Sequence, residues 1–257
     1  MPEQPTGPST MQRRSAARTA VVWDALREAL GTVPAAKPRA VLDIGGGTGG
    51  FAVRVAELGH QLTVIDPSPD ALAILARRAE ESGVADRVTA LQGDLASLPG
   101  LVPAGSVDVV LCHGVLEIVD DPASALDTLA QVLRPGGTLS LLVNQRHAAV
   151  VARAMAGHFN QARQLLDPSA ELRTGDARTG GAGRRFTPDE VTEILDRTGF
   201  DTLAMHAVRV FVDLVPSSLV DLEPGAAGAL VELERAVATR PEYLTLGTQL
   251  HTLAARR

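Results

Sequence analysis

The stretch Val41-Leu42-Asp43-Ile44-Gly45-Gly46-Gly47-Thr48-Gly49-Gly50 constrains this chain more than any other. An apolar strand ends in an aspartate, and five of the six residues 45–50 are glycines. An amphipathic helix is expected from about Thr48. Glycine lets the backbone adopt conformations closed to other residues and approach a ligand closely. The N–H groups at the start of the following helix point at whatever lies there. A turn that only reversed the chain would not need so many glycines, so the pattern predicts a nucleotide-type pocket in an α/β sheet.

Two ligand classes compete for that pocket. Gly45-x-Gly47-x-x-Gly50 fits the dinucleotide fingerprint, and Asp66 lies about 20 residues on, where a ribose-binding acid belongs. Asp43 argues against it. A dinucleotide puts pyrophosphate at this turn, and a buried carboxylate two residues before the first glycine would repel it. A ligand with an ammonium group and a ribose but no phosphate suits that carboxylate, and S-adenosylmethionine is such a ligand. An NAD-dependent enzyme would also want a second substrate domain, for which 257 residues leave no room.

The rest of the chain reads as strands alternating with helices. Strands are expected at Ala40–Ile44, Gln61–Ile65, Arg87–Leu91, Val107–Cys112 and Thr138–Val143. Helices are expected at Ser15–Leu30, Thr48–Leu58, from Pro69 behind the Ser68 cap, and from Pro122 behind Asp121 with Leu126, Leu129 and Leu133 on one face. That alternation predicts right-handed crossovers and a doubly wound, mostly parallel sheet. After Val143 the pattern breaks. Residues His147–Leu166 read as a helix with Val150, Val151, Met155 and Phe159 inward, and 167–185 as a Gly-, Arg- and Thr-rich loop. Thr187-Pro188-Asp189-Glu190 is a capping box. A long strand is expected over Thr202–Leu214, helix over most of 216–240, and a last strand over Gln249–Ala254.

Composition sets the boundaries. Hydrophobic residues are 45% of the chain and aromatics only 3%, so the core is built from Ala, Val and Leu. The one cysteine, Cys112, fits a reducing compartment and is read as core. Neither a signal peptide nor an apolar run of about 18 residues is present, which predicts a cytoplasmic protein without a membrane partner. Residues 1–14 read as a disordered tail. The net charge of −6 argues against a broadly basic nucleic-acid binder. It is unevenly spread: residues 146–185 carry seven arginines against three acids, a net +4. Arginine in a segment that covers a site can hold phosphate oxygens bidentately, or can simply be solvated.

Ligands of open α/β sheets bind at the carboxyl ends of the strands. Asp43, Asp66, Asp94 and His113 fall there, together with Gly45, Gly46 and Gly47. Asp66 suits the two ribose hydroxyls. Asp94 suits the exocyclic amine of adenine, with the Leu95 backbone N–H for a ring nitrogen. His113 follows the fourth strand and faces cofactor or acceptor. No metal-ligand cluster is evident.

Asp43-Ile44-Gly45-Gly46-Gly47-Thr48-Gly49, Asp66, Asp94 and Leu133-Arg134-Pro135-Gly136-Gly137-Thr138-Leu139 resemble the cofactor motifs of class I S-adenosylmethionine-dependent methyltransferases. A narrower resemblance covers nearly the whole chain. His113-Gly114-Val115-Leu116-Glu117, Met155-Ala156-Gly157-His158-Phe159, Val208-Arg209-Val210-Phe211 and Tyr243-Leu244-Thr245-Leu246-Gly247 are similar to the bacterial tRNA 5-carboxymethoxyuridine methyltransferase family. The chain departs from it at Gln164–Leu172, where the family carries a lysine-rich stretch.

This resemblance implies a seven-stranded Rossmann-like methyltransferase domain over 15–257, with a helical lid inserted at about 146–187. It implies S-adenosylmethionine as cofactor, and methylation of a wobble-uridine carboxylate in tRNA. It also implies that Arg18 meets the cofactor's carboxylate and that Arg209 faces the acceptor. Arg184 and Arg185 would then approach the RNA. A small-molecule O- or N-methyltransferase and a non-catalytic S-adenosylmethionine-binding module are the alternatives. A carboxylate acceptor is ionised at neutral pH and needs no general base. For a hydroxyl or amine acceptor, His113 is the first candidate base.

Overall fold

The computed structural model describes residues 10–31, 37–167, 183–222 and 225–257. In chain order the strands are β1 (Ala40–Ile44), β2 (Gln61–Asp66), β3 (Val88–Gln92), β4 (Val107–His113), β5 (Leu133–Asn144), β6 (Phe200–Val208) and β7 (Gln249–Arg256). They form one sheet ordered β3-β2-β1-β4-β5-β7-β6. The first five are parallel, and β7 runs antiparallel between β5 and β6. The expected doubly wound sheet is therefore present, with an antiparallel C-terminal end.

The helices are α1 (Thr10–Leu30), α2 (Ala52–Glu57), α3 (Pro69–Glu81), α4 (Leu98–Leu101), α5 (Pro122–Val132), α6 (Arg146–Met155), α7 (Phe159–Gln164), α8 (Pro188–Arg197), α9 (Ser217–Leu222), α10 (Ala226–Val237) and α11 (Pro241–Leu244). Their starts follow the expected caps. Ser68 accepts from the Ala71 N–H, and Asp121 from the N–H groups of Ala123 and Ser124. Thr187 and Glu190 form the reciprocal capping box at α8.

The sheet separates two aliphatic cores. Along β1 and β4, Leu42, Ile44, Val110 and Cys112 face the side that also holds Leu126 and Leu129 of α5. Val41, Val109 and Leu111 face the other, with Leu26, Leu30, Val53 and Leu75. This is the two-residue alternation of a strand covered on both sides. Each fully buried leucine contributes about 1.5–3 kcal/mol, so the chain closes its core with few aromatic residues. Asp43 and His113 share the face of Val41 and Leu111. That face is covered by α1, which also packs on α10 and β6.

Several expected boundaries move. The helix after the glycine turn starts at Ala52, not Thr48, because Gly47 (φ +54°) and Gly49 (φ +78°) take the left-handed conformation, which a helix excludes. Leu133 leaves the α5 face and opens β5, where it pairs with Val107. The single helix expected over His147–Leu166 is two, broken at Gly157 (φ +77°). Its supposed inward residues Val151, Met155 and Phe159 are 44%, 70% and 71% exposed. The strand expected to reach Leu214 stops at Val208, because Arg209 has φ +62°. Residues 10–14 of the expected tail are helical. The basic loop, with Arg173 and Arg178, falls mostly outside the described residues.

Candidate active site

The glycine turn is shaped by what surrounds it. The Gly45 N–H donates to the Ile65 carbonyl at 2.7 Å, tying the turn to β2. A Cβ on Gly45 would lie 2.7 Å from a Val115 methyl. A Cβ on Gly46 would lie 2.6 Å from the Asp43 carboxyl and 2.8 Å from Val64. These distances leave no room for a side chain, so the turn presents bare backbone to the pocket.

Asp43 is 3% exposed, and no hydrogen-bond donor among the described residues meets its carboxylate. Burial, and then the charge of Asp66, push it up to about 7. A buried acid without a donor is costly to ionise. A cationic ligand at the turn would relieve that cost, and a pyrophosphate would add to it.

Asp66 closes the turn from β2. Its Oδ2 accepts from the Gly47 N–H at 2.8 Å and its Oδ1 from the Ser68 N–H at 2.9 Å. One carboxylate thus fixes both the glycine turn and the entrance to α3. Each oxygen keeps a further lone pair for a ligand hydroxyl.

Asp94 is exposed on the loop after β3. It is locked with Ser97: the Ser97 N–H donates to Asp94 Oδ1 at 3.0 Å, and the Asp94 N–H donates to Ser97 Oγ at 2.8 Å. The Ser97 backbone N–H, and then its hydroxyl, hold the Asp94 carboxyl below its ordinary value. It is therefore a ready acceptor for an amine N–H.

A cavity of about 460 Å³ opens beside these residues, within the roughly 300–1,000 Å³ usual for cofactor sites. Gly45, Asp94, Leu95 and Val115 line it, with Ile44 and Pro67 at its apolar floor. Asp43 and Asp66 stand behind the glycines. His113 ends β4 beside this turn, its ring edge-on to Phe51 at 4.9 Å. Burial pushes it down to about 4, so it is neutral at physiological pH. Its Nε2 is engaged by Ser140 Oγ at 2.9 Å. The cavity and the bare turn, with an unpartnered acid at one end and a fixed acceptor at the other, fit S-adenosylmethionine.

Two expected residues meet through a contact that no motif announces. Arg18 of α1 and Arg209 after β6 share Asp213, at 2.8 Å and 2.5 Å. Glu234, fully buried on α10, accepts the backbone N–H groups of Val210, Phe211 and Val212 and so holds that loop. Neither Asp213 nor Glu234 belongs to a motif. Only the fold brings them to residues 195 and 22–24 positions away.

The basic segment is partly committed to structure. Arg146 is 8% exposed; its Nη1 pairs with Glu190 at 2.7 Å and its Nη2 donates to the Arg185 carbonyl. Arg184 donates to the carbonyls of Val119 and Asp120 at the cavity's edge. Arg153 and Arg163 are exposed on α6 and α7. Cys112 is buried, with its thiol pushed far up by burial, and is no nucleophile. Among the described residues no cluster suits a metal ion, and no helix is long and apolar enough to cross a membrane.

Comparison with known proteins bears on the family and the fold. Residues 42–141 match the family of methyltransferase domains. The tRNA 5-carboxymethoxyuridine methyltransferase of Escherichia coli K12 is 32% identical over 239 residues, covering 93% of this chain and 88% of that protein. A ubiquinone biosynthesis O-methyltransferase of Xanthomonas axonopodis is 39% identical, but over 49% of this chain and 51% of its own. In fold, the chain is similar to an S-adenosylmethionine-dependent methyltransferase of Mesorhizobium loti, with a TM-score of 0.60 at 21% identity over 93% of this chain and all of the other. A geranyl diphosphate C-methyltransferase of Streptomyces coelicolor gives a TM-score of 0.60 at 15% identity over 99% and 86%. The chain is an S-adenosylmethionine-dependent methyltransferase of class I, and it belongs to the family of the tRNA 5-carboxymethoxyuridine methyltransferases.

Proposed function

We propose that this enzyme methylates the side-chain carboxylate of 5-carboxymethoxyuridine at the wobble position of tRNA, in the cytoplasm. The observation that carries the reading is the reach of the similarity. It spans 93% of the chain and so includes α6, α7 and the Arg209–Asp213 loop, which cofactor binding alone does not require. The half-length match to ubiquinone biosynthesis O-methyltransferases favours a small-molecule acceptor as the second reading.

S-adenosylmethionine, when bound, supplies an electrophilic methyl on a sulfonium. The protein's part is to align the acceptor with it. In this reading Asp66 would take the ribose hydroxyls, Asp94 and the Leu95 N–H would take adenine, and Gly45, Gly46 and Gly47 would admit the methionine end, whose ammonium group suits Asp43. Arg18 turns to the cofactor's carboxylate, and Arg209 to that of the acceptor. Asp213, shared by both arginines, holds them side by side and oriented until ligands arrive. A carboxylate is already ionised, which suits a site whose nearest imidazole, His113, is neutral and hydrogen-bonded. In this reading the described parts of the insertion, 146–167 and 183–187, belong to a lid of one methyltransferase domain, with Arg184 and Arg185 on the side the RNA would approach.

Mass spectrometry of tRNA nucleosides from a deletion strain tests this. The methyl ester is expected to disappear and the free carboxylate to accumulate. Unchanged nucleosides would move the assignment to a small-molecule acceptor.

A further inference from the structure

Four polar side chains form a continuous line across the C-terminal half of the sheet, and the methyl-transfer reading uses only the first. In the strand register His113 lies opposite Leu142, Leu142 opposite His251, and His251 opposite His206. All therefore face the same side, as does Ser140, two residues before Leu142. Ser140 Oγ bridges the Nε2 atoms of His113 and His251 at 2.9 and 2.8 Å. His251 Nδ1 and His206 Nδ1 are 3.3 Å apart. Ser140 and His251 are fully buried, and His206 is half-buried on the edge strand.

The chemistry of these groups allows few arrangements. A serine hydroxyl has one proton, so if it donates to one imidazole it accepts from the other. Between the two Nδ1 atoms, likewise, one donates. With every ring neutral the line has two self-consistent settings. In the first, His206 donates to His251, His251 to Ser140, and Ser140 to His113 Nε2. His113 then carries its proton on Nδ1, the nitrogen that Ser140 leaves for a ligand. In the second every bond reverses, and His113 Nδ1 is a bare acceptor.

We propose that Ser140, His251 and His206 are positioning residues for His113, and that protonation of His206 locks His113 Nδ1 as a donor. A protonated His206 has no acceptor nitrogen, so it donates to His251 and forces the first setting. The titratable groups acting on His206 are His251 of β7 and Glu28 of α1; among the described residues of α8 and α11, also packed on β6, none acts on it. Burial lowers His206, while a hydrogen bond to the His251 backbone and the charge of Glu28 oppose that. Burial keeps His113 down to about 4 and His251 well below its ordinary value, so neither takes up the charge first. The donor setting suits an ionised carboxylate, to which Nδ1–H can donate. The acceptor setting suits a group that must lose a proton. The line thus bears on acceptor class, and this consequence rests on the reading that His113 faces the ligands.

Imidazole nitrogen NMR of the ¹⁵N-histidine-labelled full chain tests the proposal without an acceptor. As pH falls through the His206 transition, the His113 resonances are expected to shift toward the Nδ1–H tautomer while the ring stays neutral. His206→Gln should abolish that response, and Ser140→Ala should uncouple His113 from His206. If Ser140→Ala does not fold, His206→Gln at the half-exposed end gives the same reading. A His113 tautomer that ignores the His206 transition, or responds equally in His206→Gln, overturns the proposal. Adding S-adenosylmethionine to the same samples checks the underlying reading separately. His113 resonances that do not move on binding overturn its placement beside the cofactor, whatever the pH response.

Discussion

The glycine turn and the Arg209–Asp213 loop both end strands of one sheet, and both place charged groups near the same edge. They are built in opposite ways. The turn is made by residues close in sequence, Asp43 and the five glycines of 45–50, and is closed by Asp66 at the end of the adjacent β2. The loop after β6 is made by distant ones. Its N–H groups end on Glu234, and its aspartate on Arg18 of the first helix. The first region shapes its surface by omitting side chains. The second does so by burying a carboxylate beneath the backbone, which lets a non-glycine residue hold φ +62°.

The sharpest way to break this comparison is Glu234→Ala. It removes the carboxylate that accepts from the N–H groups of Val210, Phe211 and Val212, two of these bonds being buried, and one unsatisfied buried group costs about 1–3 kcal/mol. Denaturant unfolding should therefore show a loss of about 3 kcal/mol or more. Cofactor affinity at the glycine turn should change by less than about tenfold. Loss of binding comparable to that of a turn variant would show that the two regions are one unit.

Asp66→Ala is the matching cut on the other side. Removing a charge-assisted contact of about 1.5–3 kcal/mol should lower S-adenosylmethionine affinity roughly ten- to a hundredfold by calorimetry. Adding NAD in the same experiment should give no binding. Unchanged S-adenosylmethionine affinity would remove Asp66 from the site.

Asp43 sharpens the comparison through pH. A cationic cofactor favours its ionised form, whose population falls as pH drops through about 7. Affinity should therefore fall by about tenfold between about pH 8 and about pH 6, and Asp43→Asn should flatten the profile. Without ligand the sign reverses. Its folded pKa lies above the unfolded 3.8, so its stabilising contribution is full below about 4 and is lost as pH rises through about 7. Thermal unfolding of both forms across that range checks this.

Smaller effects are expected from the arginines. Arg18 is 47% exposed in its pair with Asp213, a partnership worth at most about 1 kcal/mol. Arg18→Ala should leave the melting temperature nearly unchanged and weaken cofactor binding several-fold. Equal affinity in the two proteins would return Arg18 to a surface role. Replacing Arg184 and Arg185 by Gln should flatten the salt dependence of tRNA binding by up to about 2 in log–log slope, with cofactor affinity intact. Because Arg184 already donates to two carbonyls, part of the pair's effect should appear as lower stability of the 117–120 edge.

Much of the fold was legible because it is written locally. Ser68, Asp121 and Thr187 each announce a helix by a side chain that bonds within three residues of itself. β4 announces itself as an apolar run. Gly45–Gly47, Asp66, Asp94 and Leu95 could be placed at one sheet edge because each directly follows a strand. The misplacements share one cause. The α2 start, the β5 start and the end of β6 are set by left-handed residues or by partners on other strands, and side-chain periodicity is blind to both.

The amino-acid sequence by itself determined the parallel sheet, the glycine turn and the acids around it, since these follow from periodicity, capping and the absence of side chains at fixed positions. The tertiary structure alone decided that Arg18 and Arg209 share Asp213, that Glu234 supports their loop, and that Ser140 links His113 to His251. Those contacts join residues 4 to 195 positions apart, and those of Glu234, Ser140 and His251 are buried. A buried polar group must find a partner wherever the fold offers one, and that partner leaves no mark in the local pattern.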